Sequence, residues 1–74
     1  MEIKKGIYRH FKGKLYELLG IARHSETLEE FVLYKSLYES KEFRKGSLWV
    51  RPKDMFFGTV KIDGKEVKRF ELVK

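Results

Sequence analysis

Short runs rich in aromatic and β-branched residues follow one another along this chain, separated by glycines and polar clusters. That pattern predicts a succession of β-strands. Gly6-Ile7-Tyr8-Arg9-His10-Phe11 reads as the first strand and Leu15 to Ala22 as the second. A turn at Lys12-Gly13 joins them, with glycine supplying positive φ. Gly20, inside the second strand, marks a bulge or a sharp bend. Phe31 to Tyr38 reads as the third strand; Phe31, Tyr34 and Tyr38 also fall at helical spacing, but residue types and short length favour a strand. Leu48-Trp49-Val50-Arg51 is the fourth, stopped by Pro52, which has no N–H to give to a ladder. Lys53 to Phe57 predicts a single helical turn, ended by Gly58.

Asp63-Gly64 is the strongest short hairpin signal in the chain. A two-residue loop there sets Ile62 opposite Lys65, Lys61 opposite Glu66 and Val60 opposite Val67. That register puts a charge pair on one face and a valine pair on the other. Phe70 and Leu72 have the opposite parity to Val67. The last strand is therefore expected to bend near Lys68-Arg69 and join the other side of the core.

Two stretches lack alternation. Residues 39–47 form a charged excursion that ends at Gly46-Ser47. Arg23 to Glu30 is polar and acidic and reads as a loop; Thr27 and Glu30 have the spacing of a capping box, and Ser25 offers an alternative cap. Five to six short strands, a corner glycine and a one-turn helix near 53–57 predict a mainly β fold. The expected form is one small, partly open SH3-like barrel spanning residues 1–74. An OB-like barrel needs more chain, and the alternative is an α+β roll with the third segment as a helix.

Composition narrows this reading. Seventy-four residues leave no room for a second domain. The absence of cysteine excludes disulfides and thiolate zinc sites, and two histidines are too few for a histidine-rich metal site. No cofactor is expected. No apolar run approaches the ~20 residues that cross a bilayer, and the first residues lack a signal-peptide core. The expectation is a cytoplasmic protein with no membrane partner. Seventeen Lys and Arg against eleven Asp and Glu give a net charge of +6. Residues 1–23 carry +4, residues 24–43 carry −3 and residues 44–74 carry +5. If the fold gathers the positive ends, they attract RNA, DNA or an acidic protein.

Several segments resemble a named family. They are Gly6-x-Tyr8-x-His10-Phe11-Lys12-Gly13-x-x-Tyr16, Ala22 to Thr27, Val32-x-Tyr34-x-x-Leu37-Tyr38, and Leu48-Trp49-Val50-Arg51-Pro52-x-x-Met55-Phe56. Together they look like the bacterial family catalogued as domain of unknown function 1653, from Gly6 to about Phe70. The stretch between Tyr38 and Leu48 looks longer than usual for that family, and Lys68 stands where a proline is often seen. The resemblance implies a stand-alone bacterial protein and no particular activity.

The candidate chemistry lies in three places. Arg23-His24-Ser25-Glu26-Thr27 is the densest polar cluster. A serine beside a histidine superficially supplies nucleophile and base, but neighbours on an extended chain point apart and no oxyanion-hole motif accompanies them. Trp49 and Arg51 share one face of their strand. Facing out, they would stack a base or hold a phosphate; facing in, Trp49 would enter the core and Arg51 would need an acid. Tyr34, Ser36 and Tyr38 on one strand, with Tyr8 and His10 on another, could line a groove of the kind that takes proline-rich peptides. The expected function is a non-catalytic module binding nucleic acid or a nucleotide through Arg9, His10, Arg23, His24, Trp49 and Arg51. Ser25, Glu26, Thr27 and Tyr34 complete the candidate set. The alternative is a peptide adaptor using the tyrosine groove, and third a small enzyme using the Arg23–Thr27 loop.

Overall fold

The structure, a computed structural model, describes residues 3–74. Seven strands and one helical turn follow in order: β1 (Gly6–His10), β2 (Leu15–Arg23), β3 (Glu30–Ser36), β4 (Leu48–Pro52), α1 (Lys53–Phe56), β5 (Thr59–Ile62), β6 (Lys65–Lys68) and β7 (Phe70–Leu72). Five strands form one antiparallel sheet in the order β4-β3-β2-β1-β7. β5 and β6 form a separate two-stranded sheet. The fold is mainly β, as expected.

Much of the local detail follows the sequence signals. The β5–β6 hairpin has the expected register: Ile62 opposite Lys65, Lys61 opposite Glu66, Val60 opposite Val67. Its loop needs two left-handed residues, and Asp63 (φ 51) and Gly64 (φ 79) supply them. The β2–β3 ladder slips between Leu18 and Gly20, which is the bulge that Gly20 marked. The chain breaks at Arg69, leaves the hairpin and enters the five-stranded sheet as β7 beside β1. Backbone bonds fix that crossover: Arg69 N–H donates to Gly58 at 3.0 Å, and Phe11 N–H donates to Arg69 at 2.9 Å. Phe11 therefore belongs to a three-residue turn with Lys12 and Gly13, not to β1.

The two sheets do not close into a barrel, and the topology does not mark the open form as SH3-like. α1 takes the chain out of the sheet after β4, so β5 never pairs with it, and β4 and β7 remain as edges. The third segment is a strand, which rules out the roll with a helix there.

Antiparallel partners point to the same face, so the register defines an inner face. It carries Tyr8, Tyr16, Leu18, Val32, Tyr34, Ser36 and Phe70. Tyr8, Leu18, Val32, Tyr34, Phe56 and Phe70 form the buried core. α1 exists to cap it. Pro52 at its N-terminus has a φ of −50°, preset for a turn, and the turn drives Phe56 down onto the sheet. The Phe56 ring is fully buried and lies flat against Phe70, centroids 4.0 Å apart and planes 6° apart. Burying a ring of that size stabilises the fold by about 1.5–3 kcal/mol.

A basic aromatic cluster as candidate functional site

β4 turns Trp49 and Arg51 towards the inner face, because Trp49 lies opposite buried Tyr34 and Arg51 opposite buried Val32. Leu48 and Val50 face the other way and are 64% and 58% exposed. The inward orientation does not bury Trp49 or give Arg51 an acid. The Trp49 ring packs edge-on against Phe43 at 4.9 Å and stays 37% exposed. The Arg51 guanidinium lies over the Phe70 ring, 5.7 Å from its centre, and its Nε donates to the Tyr34 hydroxyl at 3.4 Å. Among the described residues Arg51 makes no salt bridge. The fork of its two terminal nitrogens is left for a carboxylate or phosphate.

Other polar groups gather round this cation. His10 packs edge-on against Phe70 and Tyr16, and its Nδ1 accepts the Lys12 N–H at 3.2 Å. Nε2 then carries the proton of the neutral ring and is a donor. Burial lowers the His10 pKa below its usual 6.5, and the charges of Arg51, Arg69 and Lys12 lower it further. The Tyr16 and Tyr38 hydroxyls share a hydrogen bond of 2.6 Å. Burial, followed by that bond, raises the Tyr16 pKa strongly, so Tyr16 stays protonated. Ser36 is fully buried and its hydroxyl has no partner among the described residues, although its backbone is satisfied by Gly46 and Ser47. The inner face therefore offers a cation and neutral donors on an aromatic floor.

The Arg23–Thr27 segment forms a second, separate feature. It joins the far ends of β2 and β3, where Arg23 pairs with Glu30, whereas His10 and Ser36 lie towards the other end of the sheet. His24 organises it. Its Nδ1 accepts the N–H groups of Glu26 (3.1 Å) and Thr27 (3.3 Å), and its carbonyl accepts the Leu28 N–H at 2.9 Å. The capping role expected of Ser25 or Thr27 thus falls to His24. The Thr27–Glu30 capping box does not form: Thr27 Oγ1 accepts from Glu29, and Glu30 turns to Lys53 (2.7 Å) and Arg23 (3.8 Å). Lys53, and less strongly Arg23, hold the Glu30 carboxyl below its usual pKa. Ser25, Glu26 and Thr27 are exposed, and with Nδ1 facing backbone amides His24 does not serve Ser25 as a base. Arg23 also donates to the Leu28 carbonyl at 3.0 Å.

Of the expected site residues, His10, Tyr34, Trp49 and Arg51 meet in the inner cluster. Arg9 lies opposite Glu71 on the outer face, where it lines a groove of about 580 Å³ beside the β5–β6 hairpin. The expected tyrosine groove is filled, since Tyr8 and Tyr34 are only 5% and 4% exposed. Tyr16, Phe43 and Phe70 were not singled out for the site. The β1–β2 turn could have revealed Tyr16, because it sets Tyr16 opposite Tyr8. Nothing local could have revealed Phe70, which arrives from the far end of the chain. Among the described residues no three metal-ligating side chains come together.

The class is therefore a small, mainly β domain of two antiparallel sheets with a basic, aromatic inner face. The chain belongs to the family described as protein of unknown function (DUF1653), whose model matches residues 6–72. It is similar to a protein of that family from Bordetella bronchiseptica, known from a crystal structure, at 33% identity and a TM-score of 0.85. The match covers 97% of this chain and 88% of that one. No curated protein matches. No helix is long and apolar enough to cross a membrane, among the described residues.

Proposed function

We propose that the chain is a non-catalytic binding module for nucleic acid or a nucleotide, working in a bacterial cytoplasm. The observation that carries this reading is Arg51: a half-buried guanidinium with no acidic partner, seated on Phe70 and flanked by His10 and the open side of Trp49. A phosphate satisfies the fork, and a base finds an aromatic edge or face beside it. The chain's charge of +6 likewise favours a negatively charged partner.

Trp49 is the only tryptophan, so its fluorescence reports on the site directly. Titration with mixed single-stranded RNA and DNA pools, and with nucleoside phosphates, at about 50 mM salt should quench it. The affinity should fall with salt, log K against log salt having a slope of about −0.7 for each phosphate neutralised on a single strand. No detectable binding at about 50 mM salt, where such contacts are strongest, removes the reading.

A further inference from the structure

We infer that β4 is the self-association edge of this protein, pairing antiparallel with β4 of a second copy about a two-fold axis at Trp49. Among the described residues no strand covers the outer edge of β4. The ladder shows which of its groups are free. Ser36 N–H donates to Ser47 and Ser36 C=O accepts from Gly46, so the polar groups of Ser36 point towards β4. Leu37 N–H donates to Leu15, so its groups point towards β2. Alternation then turns the N–H and C=O groups of Val32 and Tyr34 to their β4 partners, Arg51 and Trp49. Leu48, Val50 and Pro52 accordingly direct their backbone groups to the open edge, and Pro52 has no N–H to offer.

This edge is self-complementary in one register. With Trp49 opposite its copy, Leu48 falls opposite Val50 of the second chain and Val50 opposite Leu48. Each of these two pairs exchanges two N–H···O bonds, and the four groups of Leu48 and Val50 on each chain are all used. Shifting the axis to Val50 sets Leu48 against Pro52, where a donor is missing. Shifting it to Leu48 sets Val50 against Gly46, whose N–H is already bonded to Ser36. The side chains agree with the Trp49 register. Leu48 and Val50, 64% and 58% exposed, become cross-strand apolar neighbours on the outer face. The Trp49 rings become neighbours on the inner face. β4 carries no lysine and no bulge in its pairing, and its edge protections, Pro52 and the inward-pointing Arg51, lie at one end, outside the Leu48–Val50 segment that would pair.

The axis of an antiparallel pair stands perpendicular to the sheet, so both inner faces lie on the same side. The dimer is one ten-stranded sheet with two Arg51 clusters on one surface. It does not depend on the nature of the ligand. The contact is short and buries less than the ~1,200 Å² of a standard interface, so the dimer should be a weak one. Each chain carries +6, so association should strengthen as salt screens the repulsion, the reverse of phosphate binding.

Sedimentation velocity on the full chain, from micromolar to millimolar concentration at low and high salt, tests the inference together with residue-resolved amide exchange. The expected result is a reversible dimer favoured by salt. The Leu48 and Val50 amides should gain protection with concentration, while those of Trp49 and Arg51, already bonded to β3, should not change. Val50→Lys and Leu48→Lys should each weaken the dimer by about tenfold or more. Val67→Lys, an equal charge change on the separate hairpin, should leave it intact. A monomer at millimolar concentration in high salt overturns the inference and leaves β4 to a strand of another protein. A dimer insensitive to Val50→Lys overturns it as well.

Discussion

The guanidinium carbon of Arg51 stands 5.7 Å from the centre of the Phe70 ring, and that ring stacks on Phe56 with centroids 4.0 Å apart. A cation is thus held over an aromatic ring that is itself anchored in the core. Arg51→Ala should cost little stability, about 0.5–1 kcal/mol for a partly exposed cation–π contact. It should lower affinity for a phosphate-bearing ligand by tenfold or more, because hydrogen bonds to charged groups are worth about 1.5–3 kcal/mol. Arg51→Lys keeps the charge and loses the fork, so its affinity should fall between the two. Equal binding by all three proteins would show that the ligand does not meet Arg51.

His10 gives the site a pH dependence. Burial and the charges of Arg51, Arg69 and Lys12 disfavour its protonated form in the fold. Its folded pKa lies below 6.5, the value in the unfolded chain. The unfolded chain therefore binds the proton first as pH falls. Stability contributed by neutral His10 is complete above pH 6.5 and is lost as pH drops towards the folded pKa. Glu30 acts at more acid pH: its pKa is lowered from 4.5, so its contribution is lost only as pH falls below that value. Urea midpoints measured between pH 7 and pH 5 should decline in the native protein and flatten in His10→Gln. An anion held by Arg51 cancels one of the charges that depress His10. Phosphate binding should then raise the His10 pKa, visible as a shift in the NMR titration of its ring protons.

Much of this arrangement was legible in the sequence, and the limit has a physical cause. Asp63-Gly64 dictates its own register because the turn and both strands are contiguous. The parity of Val67 against Phe70 exposed the break at Arg69 for the same reason. Parity also showed that Trp49 and Arg51 share a face but could not say which face is inner. That depends on β3, and on α1 carrying Phe56 over the sheet. How the two sheets stay apart was not legible, because it turns on whether β4 pairs with a later strand, a long-range matter on which composition is silent. His24, one of the expected binding residues, also organises its turn, a role its sequence does not announce: an imidazole nitrogen accepts backbone amides as a Ser or Thr hydroxyl would.

Ser36 offers a sharper test of what is structural. Its hydroxyl is fully buried with no partner among the described residues, in the midst of the aromatic cluster. Leaving such a group unpaired costs about 1–3 kcal/mol. Ser36→Ala removes the group with almost no change of volume, and the protein should gain stability of up to about that amount. A fall in the thermal midpoint would mean that the hydroxyl has a partner, such as a buried water, in solution.

The core itself rests on one ring supplied by the shortest element. Phe56 is fully buried, stacks on Phe70, and meets Tyr8 at 5.5 Å and Tyr34 at 5.3 Å. Truncating a buried Phe to Ala costs about 3–5 kcal/mol. A chain of 74 residues is expected to have total stability of only about 5 kcal/mol. Phe56→Ala should therefore be largely unfolded near 37 °C by circular dichroism. Phe56→Leu, which refills most of the space, should stay folded with a lowered midpoint. Met55 makes the control, since it sits next in the same turn but is 47% exposed. Met55→Ala should shift stability by less than about 1 kcal/mol. If Met55→Ala and Phe56→Ala proved equally damaging, α1 would stabilise the fold through its backbone and not through the ring it delivers.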